Sequence, residues 1–133
     1  MRFSTRTTYG LRAMICLAKN CGSECLSLPN IAKKEGISLG YLERLFSRLK
    51  NAGLIEAQKG AGGGYKLSKP VGKIAVYDIV RALEGSARSF YCLAEDGRSR
   101  CAKKGGCGAL IVLEKTQQAV NRTLKKLKLK DLI

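Results

Sequence analysis

A mainly α-helical chain carrying one small β hairpin is what this sequence predicts, and three observations predict it. Apolar residues recur three and four apart in five separate stretches. Residues 54–67 hold two short apolar runs around a glycine-rich centre. Serine, proline and glycine fall where helices of that spacing start and stop. A length of 133 residues fits one structural domain with a real core.

The first helix carries the stripe Leu11, Met14, Ile15, Ala18, with Ser4, Thr5 and Thr7 as candidate N-caps and Asn20 and Gly22 as stops. Ser27 caps a second helix with Pro29 in its first turn, where proline is tolerated, and Leu28, Ile31 and Ala32 inward. Gly36 ends it. Ser38 caps a third helix whose buried stripe is Leu42, Leu45, Phe46, Leu49, and Gly53 suits the position after its end. Leu54–Ala57 and Tyr65–Leu67 read as strands around Gln58-Lys-Gly-Ala-Gly-Gly-Gly64. A fourth helix spans Ala75–Leu83, with Val76, Ile79, Val80 and Leu83 inward and Gly85 after it. Residues 86–108 have no apolar period and read as a loop. From Leu110, the seam Leu110, Leu113, Gln117, Val120, Leu124, Leu127 has the 3/4 spacing that packs against a partner helix or docks on its own domain.

Helix, glycine turn, helix, then a glycine hairpin is the winged helix-turn-helix pattern. Residues 1–85 form that DNA-binding part, 86–109 a cysteine-rich loop, and 110–133 a long C-terminal dimerisation helix and tail. Lys and Arg outnumber Asp and Glu by 25 to 10, for a net charge of +15, which attracts a polyanion. Double-stranded DNA at promoter sites is the expected partner. On the third helix, Ser38, Gly40, Tyr41, Glu43, Arg44, Ser47 and Arg48 lie off the apolar stripe, where a major groove can be met. Arginine takes guanine edges bidentately or holds phosphates, whereas Glu43 suits a cytosine amino group or lies off the contact face. Lys59 and Gly60 stand at the wing tip. No apolar run is long enough to span a bilayer, and the first twenty residues lack a signal-peptide core, so a cytoplasmic protein is expected.

The chain has six cysteines and no histidine, which removes Ser-His and Cys-His catalysis. An enzyme is not expected. Cys16 lies on the apolar side of the first helix, and Cys21 and Cys25 read as surface thiols. Cys92, Cys101 and Cys107 fall in one loop, spaced C-x8-C-x5-C, with Lys103, Lys104, Gly105 and Gly106 beside the last. By spacing alone these are iron–sulfur ligands, reactive thiols or a zinc site.

The sequence resembles the Rrf2 family of bacterial regulators over nearly its whole length. The match rests on Ile37-Ser-Leu-Gly-Tyr-Leu-Glu-Arg-Leu-Phe-Ser-Arg-Leu49, Gly60-Ala-Gly-Gly-Gly-Tyr65, Asp78-Ile-Val-Arg-Ala-Leu-Glu-Gly85 and the three cysteines ending Cys101-Ala-Lys-Lys-Gly-Gly-Cys107. The resemblance implies a homodimeric winged helix-turn-helix repressor or activator paired through its C-terminal helix. It also implies an iron–sulfur cluster on Cys92, Cys101 and Cys107, [2Fe–2S] before [4Fe–4S], sensing cluster status, oxidants or nitric oxide. Within the family the chain is most similar to regulators of iron–sulfur cluster assembly genes. Ser38, Tyr41 and Glu43 fall where those regulators read their operators, and Lys59 where their wing is basic. They carry a histidine ligand three residues after the third cysteine, where this chain has Leu110. The nitric-oxide-sensing subgroup uses an acidic ligand where this chain has Thr8. Glu95, Asp96, an exogenous thiol or water are the remaining candidates for a fourth ligand. A cysteine-based redox protein lacks a C-x-x-C pair here, and a purely structural DNA-binding protein leaves the cysteine loop unexplained.

Overall fold

The computed structural model describes residues 3–20, 25–102 and 106–133. Among them run α1 (Thr5–Lys19), α2 (Leu28–Glu35), α3 (Leu39–Asn51), α4 (Val76–Glu84) and α5 (Ala109–Lys126). The antiparallel strands β1 (Ile55–Gln58) and β2 (Gly64–Leu67) lie between α3 and α4. This is the mainly α fold with a β wing that the sequence predicts. The predicted stop at Gly22 and the thiol of Cys21 lie outside the described residues, as do Lys103, Lys104 and Gly105.

The capping serines act as their positions require. The Ser27 hydroxyl accepts from the Asn30 N–H at 3.3 Å, and the Ser38 hydroxyl from the Tyr41 N–H at 3.4 Å. Between α2 and α3, Gly36 takes φ +64°, a left-handed turn that a side chain would strain. In the hairpin, Ile55 faces Leu67 and Ala57 faces Tyr65. Leu26 adds a third fragment, exchanging both backbone hydrogen bonds with Tyr65. That contact requires glycine at position 64, because a Cβ there would lie 2.5 Å from the Leu26 carbonyl oxygen. Leu26 is a single bridge residue, so its sequence carries no alternating pattern.

The core joins Ala13, Met14 and Leu17 of α1, Ile31 of α2, Leu42, Leu45, Phe46 and Leu49 of α3, and Ile79 and Leu83 of α4. The predicted α3 stripe is buried as expected. In α1 the buried face includes Met14 and Ala18 of the predicted stripe but is shifted from it: Gly10, Ala13 and Leu17 also point inward, and Leu11 and Ile15 are only half-buried. The reason is close packing, since the Leu83 side chain fills the space that a Cβ on Gly10 would need. Small residues permit that approach, and a search for large apolar residues passes over them.

Ser4 occupies the N-cap of α1, yet its hydroxyl makes no cap bond. It donates to Glu84, at the end of α4. The Ser4 N–H, the Thr7 hydroxyl and the Arg6 guanidinium reach the same carboxylate, at 3.2, 2.5 and 3.2 Å. Burial alone would raise the Glu84 carboxyl, but hydrogen bonds from Ser4, Thr7 and Arg6 outweigh it and bring it from 4.5 down to about 2.

Part of the predicted seam on α5 packs within this chain. Leu110, Gln117 and Leu124 are buried within this chain, and Leu124 packs with Val76, Tyr77, Val80 and Ala87. Leu113 and Val120 are half-buried, and Leu127 lies past the helix end, exposed. Its carbonyl accepts from the Val76 N–H, and Leu129 is buried in the main core.

Truncating Phe46 to alanine removes the largest buried side chain of α3, and chemical denaturation should show a loss of about 3–5 kcal/mol. The Glu84 carboxylate stabilises the fold above its unfolded value near 4.5, and that stabilisation is lost as pH falls toward 2, because the unfolded chain protonates first. Denaturant midpoints at about pH 5 and about pH 3 should therefore fall further in the wild type than in Glu84→Gln.

Candidate functional site

The outer face of α3 is polar and exposed. Ser38, Gly40, Glu43, Arg44, Ser47 and Arg48 are all exposed, opposite the buried Leu42, Leu45, Phe46 and Leu49. Tyr41 is half-buried. Its ring meets Tyr9 edge-on at 5.9 Å, and its hydroxyl lies 3.3 Å from that of Thr5. Cations stand over both rings, Arg44 over Tyr41 at 5.8 Å and Arg12 over Tyr9 at 5.6 Å. Arg12 is tied in turn to Glu35 at 3.2 Å. Thr5 and Tyr9 thus set the posture of Tyr41 and, through it, of Arg44. Sequence reasoning placed neither at the site, because they approach from another helix.

The two arginines of α3 differ. Arg48 donates to the Leu83 carbonyl at 3.2 Å, in the last turn of α4, and joins the two helices. Arg44 makes no ion pair among the described residues. Lys59 and Gly60 are exposed in the turn between β1 and β2. At the turn end of β1 the half-buried Cys25 thiol donates to the Gln58 side chain at 2.8 Å. Cys16 is buried in the core, and burial, then the Glu35 charge, pushes its thiol up and away from reactivity.

The described residues between α4 and α5 are irregular but anchored. Leu93 is fully buried and bridges to Ser99, and the Arg100 N–H donates to the Cys92 carbonyl at 2.8 Å. Two buried amides hold this segment on α5. Gln117 accepts from the Ser89 N–H at 2.5 Å and donates to the Ala87 carbonyl at 3.1 Å and to Asn121 at 2.9 Å. Asn121 donates to the Glu95 carbonyl at 2.7 Å. By spacing Gln117 is a seam residue, and in the fold its amide supplies the hydrogen bonds that the loop backbone at Ala87 and Ser89 needs. The signal for this role was a pair of amides one turn apart in a leucine-spaced helix.

Cys92 and Cys101 line one open pocket of about 330 Å³, with Arg88, Tyr91 and Arg100. Cys107 is half-buried just before α5, its carbonyl accepting from the Leu110 N–H, and is not among the pocket's walls. Among the described residues no three Cys, Asp or Glu side chains are gathered closely enough to hold a metal ion. The candidate fourth ligands are otherwise engaged. Glu95 accepts from the Ala87 N–H and pairs with Arg81 at 3.1 Å, and Asp96 pairs with Arg98 at 3.5 Å. Leu110 is buried, and Thr8 is exposed on α1. The donor chemistry suits an iron–sulfur cluster, being thiols flanked by cations that offset anionic sulfur.

A recognition helix on a buried stripe, a glycine hairpin at its end and a net charge of +15 define a winged helix-turn-helix regulator. The chain belongs to the Rrf2 family, whose model, described as an iron-dependent transcriptional regulator, matches residues 3–133. It is 40% identical over 107 residues to the HTH-type transcriptional regulator IscR of Cronobacter sakazakii, and 39% to IscR of Enterobacter sp. strain 638. Each match covers 80% of this chain and 60% of the relative, so the chain spans less than two thirds of their length. Among solved structures it resembles CymR, the global cysteine regulator of B. subtilis, at TM-score 0.83 and 34% identity, over 99% of this chain and 95% of that one. T. potens IscR matches at TM-score 0.80 and 32% identity, over 99% and 85%. No helix among the described residues is long and apolar enough to cross a membrane.

Replacing Gln117 by leucine leaves the Ser89 N–H and Ala87 carbonyl without their buried partner. Hydrogen exchange at Ser89 should speed up and unfolding stability should drop by about 1–3 kcal/mol.

Proposed function

We propose that this chain binds promoter DNA as a homodimer, with α3 in the major groove and the wing on the backbone, and that the state of Cys92, Cys101 and Cys107 sets its affinity. The observation that carries this reading is the exposed face Ser38, Glu43, Arg44 and Ser47, fixed outward by the buried side of α3, together with an exposed Lys59 in the wing. Arg44 is the base- or phosphate-contacting arginine, since Arg48 is engaged with α4. Ser38, Gly40 and Tyr41 let the helix N-terminus approach the duplex, and Gly60 gives the wing its close approach. Pairing of two copies would present two recognition helices to two half-sites. Exposed Ile111 (59%) and Val112 (64%), at the start of α5, support a contact between copies there. The reading places the protein in the cytoplasm, with promoters as its targets.

For the sensor, the family resemblance favours an iron–sulfur cluster held by Cys92, Cys101 and Cys107, [2Fe–2S] ahead of [4Fe–4S]. Such a group would supply a charge and a structure that change on oxidation or on meeting nitric oxide. The family resemblance and the likeness to IscR support control of cluster-assembly genes. A second reading, regulation by thiol state without a cluster, is favoured by the likeness to CymR and by the pocket that two thiols share.

Anaerobic reconstitution with visible spectroscopy and DNase footprinting tests both parts. The wild type should take up colour and change its footprint on cluster loss, and Cys92→Ala should do neither. Colourless protein with a footprint unaffected by Cys92→Ala contradicts the sensor. Arg44→Ala should weaken specific binding by about 1–3 kcal/mol, while binding to unrelated DNA keeps its steep salt dependence.

A further inference from the structure

The pocket lined by Cys92 and Cys101 joins two kinds of chemistry that DNA binding does not use. Cys92 and Cys101, both free thiols, share its walls with Arg88 and Arg100. Among the described residues neither arginine has a carboxylate partner, the ion pairs there engaging Arg6, Arg12, Lys66, Arg81 and Arg98. The nearest acids along the chain, Glu84 for Arg88 and Asp96 and Glu95 for Arg100, are held by Arg6, Arg98 and Arg81. Tyr91, 83% exposed, forms a loose apolar side. A space of about 330 Å³ is the size that takes a small molecule.

We propose that in the cluster-free protein this pocket recognises a small disulfide bearing carboxylates and exchanges with it. The carboxylates pair with Arg88 and Arg100, whose planar donors match them, and the ligand's sulfurs are thereby brought to Cys92 or Cys101. The cysteine, having released its proton, attacks one ligand sulfur. A protein–ligand S–S bond forms as the ligand's own S–S bond breaks, and the departing thiolate takes up the proton. The cysteine sulfur is oxidised and the departing sulfur reduced, so the ligand itself is the oxidant. The adduct's carboxylates then lie over the two guanidiniums, on the segment that Gln117 and Asn121 tie to α5. The exchange is a property of the protein without DNA or cluster, so its failure would leave promoter binding standing, and the failure of promoter binding would leave the exchange intact.

The test uses the full chain, reduced and cluster-free, with glutathione disulfide as the anionic probe, hydroxyethyl disulfide as the neutral one and cystamine as the cationic one. Mass spectrometry with peptide mapping follows each adduct, and each rate is normalised to that of the urea-denatured chain. Glutathione disulfide should react about tenfold faster than the neutral probe, at Cys92 or Cys101. The Arg88→Ala/Arg100→Ala double variant should lose that preference while keeping its rate with hydroxyethyl disulfide, which also reports that it is folded. Arg122→Ala, on the exposed side of α5, should keep the preference. Equal normalised rates for the three probes, adducts confined to other cysteines, or a preference that Arg122→Ala removes as fully as the pair does would each overturn the proposal.

Discussion

Four side chains on one side of α3, Leu42, Leu45, Phe46 and Leu49, cannot leave the core, and this fixes where everything on the other side points. Burying them against α1, α2 and α4 is the main favourable term in holding the helix. The same burial puts Ser38, Glu43, Arg44 and Ser47 into solvent together. The wing follows from it too, because β1 begins a few residues after α3 with Ile55 buried in the same core. A change in the core would therefore be read out as a change in the surface proposed to meet DNA.

The cysteine segment connects to that surface through packed and hydrogen-bonded contacts. Gln117 and Asn121 bind the backbone of residues 87–95, and Leu124 one turn on packs against α4. α4 meets α3 through the Arg48 bond to Leu83, and meets α1 through Glu84 and through Leu83 against Gly10. From α1, Tyr9 and Thr5 reach Tyr41, over whose ring Arg44 stands. Spatial continuity of this kind makes coupling physically available, and demonstrating it takes two states that both ends favour unequally. A cluster, or an adduct on a thiol, would supply that difference by altering charge and hydrogen bonding around residues 88–101.

Most of the architecture was legible because local chemistry announced it. Ser27 and Ser38 cap the helices that the apolar spacing predicts, Gly36 makes the turn, and the glycines from 60 to 64 mark the hairpin. What escaped came from distant parts of the chain. Ser4 and Glu84 are eighty positions apart, and nothing local to either signals the other. The buried face of α1 was hidden by Gly10 and Ala13, whose value lies in being small. The α5 seam has the right period, but period alone cannot say whether the partner is another copy or the chain's own α4. Of the candidate α3 residues, Ser38, Gly40, Glu43, Arg44, Ser47 and Arg48 are exposed as their spacing implies, Tyr41 is half-buried against Tyr9, and Arg48 also bonds back to Leu83. Arg88 and Arg100 were passed over because a charge on a loop gains meaning only when the fold sets it beside a thiol.

The central claim is that the exposed face of α3 and the wing meet duplex DNA. A crystal structure of this chain with a promoter fragment tests it most directly. The account predicts α3 in the major groove with Arg44 within hydrogen-bond reach of a base edge or phosphate, and Lys59 against the backbone or minor groove. A complex in which α3 faces away from the duplex, with DNA held elsewhere on the basic surface, would contradict it.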